Sequence, residues 1–221
     1  MIRFMFLSVL LLSLTACGTI NNALVEKNKQ FEYYRIFDIK TDANRNVVAN
    51  AASKGLGKNV SSANEARPIP TSSTLPEIPG RFQVTEPFKG TAFGALAAQG
   101  GGSLGMKMAT CEGAVWTANA TKNVTNSFNL NLTACLFQYA QGYHLDMYAH
   151  FLKQEGGLMQ LSRSMANAMV GTPEEWVEKT FLDVVREINT QTNAEISFLE
   201  GYPEIQGTPW LDSGESYTKK Q

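Results

Sequence analysis

The chain has 221 residues, 43% of them hydrophobic, 18% charged and 10% aromatic, proportions that allow a packed core and exclude a disordered polymer. Lys and Arg number 19 against 20 Asp and Glu, a formal charge of -1, so there is no cationic excess to attract a phosphate backbone and nucleic acid is not an expected partner. Three cysteines and two histidines are too few for a zinc-finger array or an iron–sulfur protein, and no cofactor is expected.

Residues 1–17 read Met-Ile-Arg, an uncharged apolar run from Phe4 to Leu14, and a small-residue end, Leu14-Thr15-Ala16-Cys17. This is the three-part form of an export signal, and its apolar run is too short to span a bilayer. Leu-Thr-Ala-Cys resembles the lipobox of bacterial lipoproteins. The resemblance covers the signal alone. It implies cleavage before Cys17, a diacylglycerol on the Cys17 sulfur, N-acylation by a palmitate-type chain, and a mature chain of 205 residues, 221 minus 16. Gly18, rather than Asp, after the cysteine implies, under enterobacterial-type sorting, an outer-membrane anchor with the domain facing the periplasm or, less often, the cell surface. Two or three acyl chains hold such a protein to a bilayer where one is marginal. Export also places the chain away from cytosolic ATP and dinucleotides.

Along the mature chain, residues 17–30 read as a lipidated tether. Phe31 to Ile39 is aromatic and β-branched, a strand signature. Asp42 or Asn44 can cap a short helix through Val47, Val48 and Ala51 that stops near Gly55 or Gly57; residues 31–57 are thus an N-terminal strand–helix element. Residues 58–105 hold five of the eight prolines and seven of the 18 glycines and read as a long loop or linker with one short strand near 81–86. The main domain is expected over 106–221.

From 106 to 152 the period becomes two. Phe128, Leu130, Leu132, Ala134 and Leu136 alternate with Asn129, Asn131, Thr133 and Cys135; Leu145, Met147, Ala149 and Phe151 alternate with His144, Asp146, Tyr148 and His150. Two half-buried antiparallel strands are expected, polar face to water. Pairing 106–119 with 127–138 about a turn near Asn123 sets Trp116 opposite Leu130 and Cys111 opposite Cys135. Opposed strand residues lie within disulfide reach, and with Cys17 acylated these two thiols are the remaining even pair. A Cys111–Cys135 cross-strand bond is the expectation. Four Asn-x-Ser/Thr triplets, at Asn59, Asn119, Asn123 and Asn131, match a glycosylation acceptor and read here as an Asn/Thr-rich strand surface.

Further on, Leu158, Leu161, Ser162, Met165 and Ala168 have helical spacing up to Gly171. Thr172-Pro173-Glu174-Glu175 then supplies an N-cap, a proline at the first helical position and a capping-box glutamate, ahead of the stripe Trp176, Val177, Thr180, Phe181, Val184, Val185 and Ile188. Ala194 to Leu199 reads as a returning strand. The fold class is α+β: a mainly antiparallel sheet, two C-terminal helices packed on it and one disulfide across it.

Candidate chemistry is sparse. Gly101-Gly102-Ser103-Leu104-Gly105 matches the G-x-S-x-G nucleophile elbow, which needs a strand before the serine and a helix after it, whereas a glycine run precedes Ser103. The same glycines match G-x-G-x-x-G without the helix that a phosphate loop must open. His144 and Asp146 share a strand face and could supply half of a metal site or a general base; solvated strand positions are the plainer reading, and no metal is assigned. Tyr139, Tyr143 and Tyr148, at a strand–loop–strand junction, can offer contact area with polar tips for a protein, glycan or small ligand, or can close the end of a core. The expected function is a non-catalytic binding or structural component of the envelope, held to the lipid bilayer through Cys17. The alternative is an envelope hydrolase using Ser103 or a His144/Asp146 site.

Overall fold

The structure is a computed structural model, describing residues 27–70, 72, 74–92, 95, 107–124, 128–155 and 172–204. Cys17, Ser103 and the expected helix near 158–170 lie outside the described residues. The elements in chain order are β1 (Lys27–Lys40), α1 (Arg45–Gly57), β2 (Ser62–Ala66), β3 (Gln83–Thr85), β4 (Met108–Thr110), β5 (Trp116–Val124), β6 (Phe128–Tyr139), β7 (Gly142–Glu155), α2 (Pro173–Thr192) and β8 (Glu195–Tyr202). Six strands form one sheet in the order β2-β5-β6-β7-β1-β8, and β3 and β4 form a separate ribbon. Every neighbouring pair is antiparallel. The chain is therefore α+β with a mainly antiparallel sheet, and no helix among the described residues is long and apolar enough to cross a membrane.

β1 begins at Lys27, ahead of the expected start at Phe31, and pairs with β7 along its whole length, from Lys27 opposite Glu155 to Lys40 opposite Gly142. Its other edge holds β8, with an irregularity between Ile36 and Phe37 where Leu199 is the extra residue, a β-bulge. The strand–helix element at 31–57 thus shares one sheet and one core with the segment from 106 onward.

One sheet face is covered by the two helices. Phe37 and Ile39 of β1, Trp116, Ala118 and Ala120 of β5, the even-numbered positions Leu130 to Leu136 of β6, and Tyr143 to Phe151 at odd positions of β7 form the main core with Val48, Ala52 and Leu56 of α1 and Val177, Phe181, Val184 and Ile188 of α2. These are the alternating and helical positions that the periodicities select. α1 is capped by Asn44, whose side chain accepts from the Asn46 amide at 2.9 Å. α2 opens on the expected capping box: the Glu175 amide donates to Thr172 Oγ1 (3.2 Å) and the Thr172 amide donates to Glu175 Oε2 (2.9 Å). The helices meet at Gly55, where a Cβ would lie 2.6 Å from the Asp183 carbonyl oxygen. Beside that contact the Asn59 side chain, buried, donates to Asp183 and accepts from Lys179, so this triplet is a tie between helices and not part of a strand surface.

The hairpin differs from expectation in register. Trp116 lies opposite Leu136, Ala118 opposite Ala134 and Ala120 opposite Leu132, whereas Trp116 opposite Leu130 was expected. The first strand is shorter at its start: Ala114 N–H donates to the Cys111 carbonyl at 3.2 Å, and Gly113 sits at φ 82°, a left-handed turn that ends β4 before β5 begins. β5 then runs on to Val124, beyond the expected turn near Asn123. An even displacement preserves which residues face the core, so hydrophobic alternation is blind to it. The disulfide nevertheless forms: Cys111 and Cys135 are bonded, with Cα atoms 5.5 Å apart. It joins a loop cysteine to β6, where Cys135 has Thr117 as its strand partner, and is not a cross-strand bond.

Candidate functional site

The second face of the sheet carries the residues that alternation assigns to water. Strand pairing sets them in rows. Cys135 of β6 lies opposite Asp146 of β7, and Asp146 opposite Ile36 of β1. The next row is Phe137, His144 and Asp38; on the other side Thr133, Tyr148 and Tyr34 line up. Instead of water, a loop covers much of this face. The Ala140 amide donates to the Pro76 carbonyl at 2.9 Å. Gly80 lies against the Phe137 ring so closely that a Cβ would stand 2.6 Å from Phe137 Cδ1. The Phe82 ring packs on Tyr34 and Tyr148, with centroids 5.7 and 5.8 Å away. Ion pairs of Arg81 with Glu200 and of Lys107 with Glu32 edge the cover, and the disulfide closes it beside a small cluster of Ala114, Cys135 and Phe137.

Under this cover Asp146 is 0% exposed, a correction to the solvated position expected of it. Its Oδ2 accepts the Phe82 amide at 3.0 Å, and its Oδ1 has no hydrogen-bond partner. Burial lifts the carboxyl from 3.8 to about 6, against the lowering pull of the Phe82 amide and of Arg81; a carboxylate short of partners in a low dielectric favours its neutral form. His144 Nε2 is 3.7 Å from Asp38 Oδ1, and its ring meets Tyr139 edge-on. Burial pulls His144 down, opposed by Asp38 and reinforced by Arg81. Tyr139 donates its hydroxyl to the same Asp38 oxygen at 2.7 Å, and burial together with that bond pushes the phenol up to about 12. His150, opposite Glu32, is likewise pulled down by burial.

His144 and Asp146 thus share one face, as their spacing implies, but they serve different partners: Asp38 for the histidine, the Phe82 amide for the carboxylate. Among the described residues, no group of three or more His, Cys, Asp or Glu is placed to hold a metal ion. A neutral histidine beside a carboxylate has the make-up of a general base; the serine considered with it, Ser103, lies outside the described residues.

The three tyrosines divide between the faces. Tyr139 and Tyr148 sit under the loop, while Tyr143 is in the helix-side core with its hydroxyl donating to the Ala43 carbonyl at 2.7 Å. All three are at most 6% exposed, so they close the core instead of presenting a contact surface. Burial and the facing Glu32 carboxylate push the Tyr148 phenol up.

Sequence reasoning missed Asp38, Arg81, Phe82 and the buried pair Arg35–Glu178. Arg35 and Asp38 do leave a signal: charged residues inside a nine-residue aromatic and β-branched run need buried partners. Arg81 and Phe82 leave none, because a covering loop has no period. No family model matches the chain, and no curated protein is similar to it.

Proposed function

We propose that the chain is an envelope lipoprotein, anchored in the outer membrane through acylated Cys17, whose domain acts in the periplasm as a non-catalytic binding or structural component. The observation that carries this reading is the segment Leu14-Thr15-Ala16-Cys17 behind Arg3 and an uncharged apolar run. Two features support it. A disulfide is the bond of an oxidising compartment, and Cys111–Cys135 is one. Ten residue steps separate Cys17 from the first strand residue, Lys27, a span of at most about 35 Å when fully extended, which keeps the domain close to the bilayer surface. Asp38, Asp146 and Tyr139 are engaged in ties within the domain, in keeping with a scaffold for a partner.

The test is the intact mass and membrane partition of the full chain expressed in a diderm bacterium, alongside Cys17→Ala. The expected result is a membrane-extracted chain starting at Cys17 and carrying acyl mass, with the variant uncleaved at that site and lacking acyl mass. A wild-type chain that is soluble and bears an unmodified Cys17 overturns the reading.

A further inference from the structure

The loop over the second sheet face is fastened in an unusual place. Residue 82 enters the β3–β4 ribbon and residue 111 leaves it, since β3 is Gln83–Thr85 and β4 is Met108–Thr110. Both flanking residues are pinned to the sheet: Phe82 by its amide to Asp146 Oδ2, Cys111 by its sulfur to Cys135. Cys135 and Asp146 are direct cross-strand neighbours on β6 and β7. The two ends of one ribbon are therefore clamped onto one pair of opposed residues, one clamp covalent and the other a hydrogen bond. Because β3 and β4 pair with each other, from Gln83 opposite Thr110 to Thr85 opposite Met108, fixing residue 111 also restricts where residue 82 can go.

Little else holds the ribbon. A two-stranded antiparallel pair is marginal alone in water. All three residues of β3 are exposed, as are Met108 and Thr110 of β4, with Ala109 alone buried. The Arg81–Glu200 pair is half exposed, at 56% and 43%, and the Lys107–Glu32 pair is partly exposed, at 34% and 29%; ion pairs open to water add little. The apolar contacts of the cover are the small cluster of Ala114, Cys135 and Phe137 with Phe82 and Cys111, and the Phe82 contacts with Tyr34 and Tyr148. On the opposite face the helices share a core drawn from β1, β5, β6, β7, α1 and α2. Regions with few buried contacts open locally while a large core stays closed.

We infer that Cys111–Cys135 is a redox latch on this strap, residues 76–92 and 107–111: oxidised, it holds the strap on the second sheet face; reduced, it frees the strap while the six-stranded sheet and both helices stay folded. The chemistry is ordinary exchange with a dithiol reductant. Cys135 is 1% exposed and Cys111 is partly exposed, so the reductant thiolate attacks the Cys111 sulfur. The S–S bond breaks and Cys135 leaves as a thiolate that takes up a proton. The second thiol of the reductant then closes on the mixed disulfide, releasing Cys111 as a thiol. Two electrons and two protons pass to the protein, and the reductant ends as its own disulfide. Release of the strap uncovers Tyr34, Phe137, Asp146 and Tyr148 together. The inference does not depend on acylation of Cys17.

Hydrogen exchange on the full chain, read by mass spectrometry before and after reduction with dithiothreitol, tests it. Peptides over residues 79–86 and 107–111 are expected to exchange at least tenfold faster in the reduced protein, with peptides of β1, β6, β7, α1 and α2 unchanged. Cys111→Ala, kept under oxidising conditions, is expected to reproduce the reduced pattern. Equal exchange of the strap peptides in the two redox states overturns the inference. So does loss of protection in the sheet and helices along with the strap, which would make the disulfide a staple of the whole fold.

Discussion

Asp146→Asn keeps the shape of the side chain and removes its charge at a position where the sheet fully buries a carboxylate that has an oxygen lacking a hydrogen-bond partner. Burial lifts this carboxyl from 3.8 to about 6. At about 1.4 kcal/mol per tenfold, ionising Asp146 is about 3 kcal/mol harder in the fold than in the unfolded chain. Its folded pKa is the higher of the two, so the folded form takes up the proton first as the pH falls. Stability from this group is therefore lowest at pH 8, rises as the pH drops through 6, and levels off below 3.8. A single titration with these two values makes the rise between pH 8 and pH 5 about 1.4 kcal/mol.

The amide variant has no such titration. At pH 8 it is relieved of the buried charge but sets an N–H donor where Asp146 Oδ1 had no partner, a cost of about 1–3 kcal/mol, so the pH slope is more telling than the absolute difference. His144 and His150, both pulled down by burial, lose stability as the pH falls below their ordinary value of 6.5; they are common to both proteins and cancel in the comparison. Urea unfolding at pH 8, 7, 6 and 5 measures the result. The expected outcome is that wild type gains about 1.4 kcal/mol on the variant between pH 8 and pH 5. A gap that stays constant across this range would refute the claim that Asp146 is ionised against its burial.

Thr172→Ala removes the Oγ1 acceptor of the α2 capping box and leaves the bond from the residue 172 amide to Glu175; it is expected to cost about 1 kcal/mol in urea unfolding. Gly55→Ala puts a Cβ 2.6 Å from the Asp183 carbonyl oxygen and from Val184 Cα, forcing the helices apart at a cost of about 1–3 kcal/mol. Gly57→Ala, near the end of the same helix with nothing within 4 Å of the new Cβ, is expected to be neutral or to stabilise by about 0.4–1 kcal/mol. Glu187 is held at about 2, below its ordinary 4.5, by hydrogen bonds from Lys54, Lys58 and Gln191. Its contribution is present above pH 4.5 and is lost as the pH falls toward 2. The stability gap between wild type and Glu187→Gln is therefore expected to be steady above pH 5 and to shrink below 4.5, as acid titrations of unfolding will show.

What could be read without coordinates followed the range of the interactions involved. The α2 capping box is written within four residues, and both it and the Asn44 cap are where local rules set them. Strand faces are written with a period of two, and the buried positions Leu145, Met147 and Ala149 of β7 obey it. Parity also separates the tyrosines: Tyr143 shares odd numbering with Leu145, while Tyr139 is out of step with the even core positions of β6. Register is not local. Opposing Trp116 to Leu130 or to Leu136 buries the same face either way, and Gly113 at positive φ, together with strand length, decides for Leu136.

The covered face was illegible for a different reason. Alternation marks His144, Asp146 and Tyr148 as the side of β7 away from the core, and by periodicity alone that side faces solvent. Whether it does depends on a loop whose residues have no period and whose contacts are scattered, among them the Phe82 amide, Gly80 against the Phe137 ring and the Cys111 sulfur. The cysteines were the only trace of it. Placed in a hairpin, Cys111 and Cys135 tie neighbouring strands that hydrogen bonds already hold. Placed as they are, they tie a loop across the sheet to the strand next to Asp146. This accounts for a buried acid at a position that alternation assigns to water: the disulfide holds down the segment that excludes water from it, and the Phe82 amide supplies the hydrogen bond that such a carboxylate needs.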